Sequence, residues 1–284
     1  MSNQVEQPQS LPLTFARYHD VIMSMLDTRD SALRSTVIAA TALLLLLCCS
    51  QIAPAAAQTT GMAKTTRYWD CCKASASWPG KLSSSVSGKS QAATCAKDGV
   101  TKVDPNTQNV CGGGGTPGPA YMCASYQPYA VNSKLSFGFA AATIQGKTES
   151  QTSCACYELK FTSGPVTGKT FVAQVINLGG DLGSNHFDLL IPGGGVGIFN
   201  GCQNQYGAPA DGWGARYGGV SSVSNCSQLP AQLQSGCNWR FNWFSNADNP
   251  TTNLRQVKCP NSIVARSYCR RGDEANLPSD YAAM

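Results

Sequence analysis

Cysteine constrains this chain more than any other residue. The sequence has 14 of them, and two, Cys48 and Cys49, fall in an apolar run near its start. The others are Cys71, Cys72, Cys95, Cys111, Cys123, Cys154, Cys156, Cys202, Cys226, Cys237, Cys259 and Cys269. An even set of this density in an exported chain reads as a disulfide framework of up to six bridges. Zinc is the competing explanation for the adjacent Cys71 and Cys72 and for Cys154-x-Cys156. It is the weaker one, because paired C-x₂₋₄-C spacings are missing and His186 is the one histidine beyond residue 57. No metal and no organic cofactor is expected. Cysteines lie on both sides of every loop, so the framework should staple the chain into one unit.

Export rests on the leader. Val37 to Cys49 is uncharged and apolar, Arg34 precedes it, and Ala55-Ala56-Ala57 follows. That run is well short of the roughly 20 residues that a spanning helix needs. A basic residue, a short apolar core and an Ala-x-Ala end describe a secretory signal peptide, cleaved after Ala57. The polar stretch in front is longer than a usual n-region, which leaves open a start at Met23 or Met25, or a signal anchor. The expected division is residues 1–57 as extension and signal peptide, and 58–284 as one domain. That domain should be secreted and extracellular, have no membrane contact after cleavage, and act as a monomer.

Only 13% of residues are charged, against about 25% in an ordinary globular chain, so Ser, Thr, Asn, Gln and Gly must supply the polar surface. With 42% apolar residues the chain is not disordered. The net charge is +5, but Lys and Arg are scattered, with Arg270-Arg271 the notable pair, so nucleic acid is not an expected partner.

No stalk, charge block or fixed-period repeat divides 58–284. Strand signals dominate its middle. Tyr157 to Thr162 and Lys169 to Asn177 are β-rich and bounded by Gly and Pro. Asn238 to Phe244 alternates aromatic and polar residues like a half-buried strand. Helical signals are few, at Leu229 to Gln234 and a turn at Ser136 to Ala142. Gly and Pro every few residues argue for a loop-rich, mainly β barrel with a few short helices.

Two segments could carry chemistry. In Thr65-Thr66-Arg67-Tyr68-Trp69-Asp70-Cys71-Cys72 a carboxylate stands beside aromatics and is fastened by two cysteines. Sugar rings stack their C–H faces on such aromatics while their hydroxyls need polar partners. The second runs from Gly179 to Leu189 and holds Asp181, Asn185, His186 and Asp188, ahead of the glycines at 193–195 and 197. Asp70 or Asp181 could be turn acids. Asp188 lies between Phe187 and Leu189, and a carboxyl drawn into apolar surroundings keeps its proton, as a general acid must. The glycines do not match G-x-G-x-x-G, so a dinucleotide loop is rejected.

The segments TTRYWDCC, with Trp78 downstream, and GGDLGSNHFDLLIPGGGVGIFNGC closely resemble glycoside hydrolase family 45. The likeness continues through Tyr157-Glu158-Leu159, Tyr217-Gly218-Gly219 and Arg240 to Phe244, and covers 64–275. The resemblance implies a secreted, inverting endo-β-1,4-glucanase on a six-stranded double-psi β-barrel with long disulfide-stapled loops. Its substrate would be a β-1,4-glucan. By the same resemblance Asp70 is the general base, Asp188 the general acid and Asp181 an assisting acid; Tyr68 lines the cleaved bond and Trp78 is a platform for a neighbouring glucose. Thr66, Asn185 and His186 would shape the cleft. The resemblance also implies the cysteine pairs Cys71–Cys202, Cys72–Cys111, Cys95–Cys123, Cys154–Cys269, Cys156–Cys259 and Cys226–Cys237. Relatives often carry a further bridge where Ala76 and Ser153 stand here, and an acid where Asn200 stands, a change that reads as peripheral. The rival reading is an expansin-like protein that loosens walls by binding glucan without cutting it. Such proteins share the barrel and the HFD-type segment but lack the segment that bears Asp70. A disulfide-rich structural or inhibitory domain would explain the cysteines, but not the acids.

Overall fold

The computed structural model describes residues 59–82, 91–112 and 116–284. The apolar run Val37–Cys49, the expected cleavage after Ala57 and most of the glycine run at 112–115 lie outside the described residues. Among the described residues seven strands follow in order: β1 Thr60–Tyr68, β2 Tyr129–Ala130, β3 Leu135–Thr143, β4 Cys156–Phe161, β5 Thr170–Asn177, β6 His186–Leu190 and β7 Thr251–Val257. Four short α-helices accompany them: α1 Glu149–Thr152, α2 Gly201–Tyr206, α3 Ala231–Asn242 and α4 Asn261–Ser267.

Six strands close on themselves in the order β3-β5-β4-β7-β1-β6, with β6 returning to β3. The pairs β1–β6 and β3–β5 are parallel and the rest antiparallel. The edge of β3 that meets β6 through Ala140 to Thr143 is taken earlier by β2, at Phe137 and Ser136. This is the double-psi barrel.

Six disulfides staple the loops to it and to one another. Cys71 bonds Cys202, which fastens the segment after β1 to α2; Cys72 bonds Cys111, and Cys95 bonds Cys123. Cys154 bonds Cys269 and Cys156 bonds Cys259, which ties the start of β4 to the chain on either side of α4. Cys226 bonds Cys237 and joins α3 to the loop before it. These are the six pairs that the family resemblance implies.

Side chains alternate across a strand, so each strand serves two environments. Ala63, Ala140, Ala142, Tyr157, Leu159, Phe161, Phe171, Ala173, Val175, Phe187, Leu189 and Leu254 join one buried cluster to which all six strands contribute, which is the barrel interior. Alanines from β1, β3 and β5 leave room there for the rings of β4, β5 and β6. Trp239, Trp243 and Phe244 join the same cluster from α3 and the residues after it. The opposite faces of β3 and β5, through Phe137, Phe139, Val172 and Ile176, pack under the loops in a second cluster.

Two elements depart from the sequence reading. Ser136 to Ala142 is strand, buried on both faces, and not a helical turn. Its Ala, Ser and Gly content reflects close packing: a Cβ on Gly138 would lie 2.6 Å from Phe171 Cζ. Asn238 to Phe244 is not a strand either; it lies in the second half of α3 and just beyond. Its aromatics meet at helical spacing, with Trp239 and Trp243 stacked at 5.3 Å between ring centroids.

Candidate active site

The outer face of β1, β6 and β3 forms the floor of a cleft of about 560 Å³. Register dictates which residues meet there. Thr66 lies opposite Asp188 in the parallel β1–β6 pair, and Ala141 of β3 lies opposite Asp188 on its other side. Phe187 and Leu189 point into the barrel, so alternation turns His186 and Asp188 out to the cleft. Thr66, Tyr68, Asp70, Asp181, His186 and Asp188 all line it. Asn185 and Trp78 do not. The disulfide cysteines stay out of it as well: Cys71, Cys72, Cys95, Cys111, Cys123 and Cys259, like the other six, hold the frame and are absent from the lining.

Asp70 stands just past β1, where the chain turns sharply. Cys71 adopts φ +63°, and Asp70 Oδ1 accepts the Cys72 backbone N–H at 2.9 Å. Asp70 is thus a turn acid that also lines the cleft. Backbone bonds hold it on either side: Trp69 N–H donates to Gly195 O at 2.7 Å, and Gly201 N–H donates to Asp70 O at 2.8 Å. The glycines at 193–195 thus brace the end of β1. A Cβ at Gly219 would come within 1.8 Å of Gly193 O, so these two loops approach as only glycine allows. Asn200 is less peripheral than its sequence suggests. It caps α2 by accepting from Gln203 N–H at 3.1 Å, and its amide donates to Pro209 O and Ala210 O at 2.9 and 3.0 Å. A carboxylate there would face two carbonyls.

Burial pushes Asp70 up to about 7, with the charge of Asp188 adding to the rise and the Cys72 N–H opposing it. Asp188 is raised to about 6, first by burial and further by Asp181, against the Thr66 hydroxyl bond and the charge of Arg67. Asp181 acts on Asp188 through charge; among the described residues no hydrogen bond joins the two. Near neutral pH the carboxyl pair therefore holds a proton while the other group is free to ionise.

Tyr68 is buried, and its hydroxyl accepts from Asn177 Nδ2 at 3.0 Å. Asn177 is in turn fixed by the Ser75 N–H at 2.9 Å. Burial, then the charge of Asp70, holds the phenol well above its ordinary value, so it stays neutral. Asn185, at φ +50°, shapes the turn into β6: its O accepts Lys64 N–H and its Oδ1 accepts Gln145 N–H, both at 3.0 Å. Trp78 is half-buried, with Lys73 Nζ 3.2 Å from its ring centroid.

Sequence reasoning misses the rim. Leu178, Ile198, Phe199 and Tyr217 line the cleft and are 42%, 58%, 52% and 73% exposed. Exposed apolar side chains along an open cleft suit the C–H faces of sugar rings. Of these, Ile198, Phe199 and Tyr217 carry a signal in the sequence, as parts of family motifs with no role attached. Arg67 also lines the cleft, paired with Asp248 at 2.9 Å, and Arg216 is held by Asp211 at 2.9 Å. Among the described residues no group of three or more His, Cys, Asp or Glu converges as a metal site. All twelve cysteines there are disulfide-bonded, so none is free to serve as a zinc thiolate.

A double-psi barrel with two carboxyls raised by burial in an aromatic-rimmed cleft fits the class of glycoside hydrolases. The chain belongs to one family within it: the pattern described as Glycosyl hydrolase family 45 matches residues 60–270. A protein named "Endoglucanase" from Cryptopygus antarcticus is 54% identical over 75% of this chain and 91% of its own. "Putative endoglucanase type K" of Fusarium oxysporum is 48% identical over 79% of this chain, which spans 57% of that protein. The crystal structure of a cellulase from the Antarctic springtail Cryptopygus antarcticus superposes with a TM-score of 0.70 at 54% identity, covering 75% of this chain and 98% of that one.

Proposed function

We propose that the protein is a secreted endo-β-1,4-glucanase, a cellulase that cuts internal bonds of cellulose and related β-glucans by single displacement with inversion. The observation that carries this is the pair Asp70 and Asp188 in one cleft, both raised by burial. The names of the relatives and the open, apolar rim support a polymeric glucan as substrate. Six disulfides support an oxidising destination, in line with the leader.

In such a reaction the carboxyls stand about 6.5–9.5 Å apart to admit a water. Asp70, ionised, takes a proton from that water as it attacks the anomeric carbon. Asp188, protonated, gives its proton to the departing glycosidic oxygen. Burial raises both carboxyls, so either can hold a proton near neutral pH. Bound reactants set the order of ionisation. A water that donates to Asp70 favours its anion, and an ether oxygen that can only accept favours the acid form of Asp188.

Viscosity loss and reducing-end release on carboxymethylcellulose, for the natural chain and Asp70→Asn, test this reading. A fast viscosity drop is expected, slowed at least about 10²-fold by the substitution. The first product anomer, followed by NMR, should be α. A β anomer would overturn the single displacement, and glucan binding without new reducing ends would make the protein a non-hydrolytic binder.

A further inference from the structure

Thr66 and His186 line the cleft, yet their polar atoms face each other and Asp188. Thr66 Oγ1 lies 2.7 Å from Asp188 Oδ1 and 2.9 Å from His186 Nε2. The contact is imposed by the parallel strand register, in which Thr66 opposes Asp188 and Lys64 opposes His186.

A hydroxyl carries one hydrogen, and a neutral imidazole carries one on a single nitrogen. Two arrangements satisfy all three groups. In the first, His186 Nε2–H donates to Thr66, and Thr66 donates to Asp188 Oδ1. That oxygen is then an acceptor, and the acidic proton must sit on Oδ2. In the second, Asp188 Oδ1–H donates to Thr66, and Thr66 donates to a bare Nε2. The acidic proton is then turned toward the strand and away from any substrate. No described residue bonds to Asp188 Oδ2 or to His186 Nδ1, so nothing else makes the choice.

We infer that His186, as its Nε2–H tautomer, and Thr66 are positioning residues that hold the proton of the general acid on Oδ2 of Asp188. This rests on reading Asp188 as the acid, and it gives Thr66 and His186 a defined role beyond shaping the cleft. The surrounding charges keep the imidazole in its neutral, selective form. Burial and Lys64 of β1 lower its pKa, and Asp181 on the loop before β6 opposes them. Asp188 itself is faced by Thr66 and Arg67 from β1, by Asp181, and by Asp70 beyond the end of β1.

Two measurements test the inference. The chain has two histidines, so ¹⁵N NMR of the full chain carrying His19→Gln reports His186 alone. The Nε2–H tautomer is expected above its titration, and an Nδ1–H pattern would overturn the inference. The second measurement compares cellohexaose, whose leaving group needs a proton, with 2,4-dinitrophenyl β-cellotetraoside, whose leaving group does not. Thr66→Val should lower kcat on cellohexaose about tenfold at unchanged KM, a fraction of a general acid's usual contribution. It should leave the activated substrate within about twofold, and Thr66→Ser should restore turnover. Equal losses on both substrates with raised KM would make Thr66 a sugar ligand and overturn the inference. Asp188→Asn separates this from the parent reading: it should abolish cellohexaose cleavage and spare the activated substrate. If it removes both equally, Asp188 is not the acid and the parent reading fails, whatever Thr66 does.

Discussion

The molecule has two buried clusters, and they are held by different physics. Among the described residues the barrel interior contains no cysteine and is filled by alternating rings, branched chains and alanines from six strands. The outer cluster, between the strands and the loops, holds ten cysteines, among them Cys71, Cys95, Cys123, Cys202 and Cys259. Regular strands satisfy their own backbone and need only apolar burial to cohere. Long irregular loops lose more entropy on ordering, and cross-links reduce that cost by restricting the unfolded chain. The cleft lies on the stapled side. Asp70 is the residue before Cys71, so the precision of the site depends on the bridges while the frame beneath depends on packing.

That contrast can be broken in three ways. The largest effect should come from the bridges, and it should scale with the chain they close. Cys71 and Cys202 are 131 residues apart, Cys226 and Cys237 only 11. Replacing each pair by alanine should cost about 5 and about 3 kcal/mol respectively by loop-closure entropy. The first pair should also lose activity at temperatures where far-UV circular dichroism still reports the barrel. Equal losses, or activity that melts only with the barrel, would show that bridge and frame are one unit. Next, Phe171→Ala removes a fully buried ring that packs on Trp239 at 5.5 Å. It should lower unfolding stability by about 3–5 kcal/mol in denaturant titrations, with turnover per folded molecule kept. A selective loss of turnover would mean that the interior, too, sets the site.

The smallest effect concerns pH. Asp70 is raised from 3.8 to about 7 in the folded protein, so folding favours its protonated form. That contribution is complete below the unfolded value and is lost as pH rises through about 7. Asp70→Asn can still accept the Cys72 N–H but has no charge to bury. Its Tm relative to the natural chain should therefore climb between pH 4 and pH 8. A flat difference would show that Asp70 ionises without penalty in the fold.

Legibility in the sequence follows the kind of signal each part leaves. β4 and β5 are readable because β-branched and aromatic runs stop at glycine and proline. β3 is not, since alanine, serine and glycine carry no strand signature and its requirement for small residues comes from Phe171 on a neighbouring strand. α3 reads as a strand because its aromatics face one core at helical spacing while their order in sequence alternates with polar residues. In the site, the acids stand out because charge is scarce in this chain. Asn177 gives no such signal, and Ile198 and Phe199 stand in a family motif with no role attached; all three are common residue types that strand pairing and loop closure bring to the cleft. Trp78 and Asn185 show the converse, since nearness in a motif does not bring them to its floor. The cysteines are legible as a set but not as pairs. Spacing alone leaves the partners of Cys95, Cys111, Cys123 and Cys259 open, and the structure gives each the mate that the resemblance implies. Ala76 and Ser153, where the resemblance places a further bridge in relatives, are both buried, with Arg271 donating to Ser153 O at 2.9 Å.

The parallel pairing of β1 with β6 also sets an order of events. β1 is made before every other strand, yet its partners are β6 and β7, with Thr60 opposite Arg255. At about 5–20 residues per second, roughly ten to forty seconds of synthesis separate those two residues. Until β6 is made, β1 has no parallel mate and Asp70 has no Asp188; Cys72 meets Cys111 after 39 residues, but Cys71 waits 131 for Cys202. Pairings so distant along the chain form slowly, because loop-closure entropy must be lost before any contact repays it. The two carboxyls are thus brought into one cleft only by pairings distant along the chain.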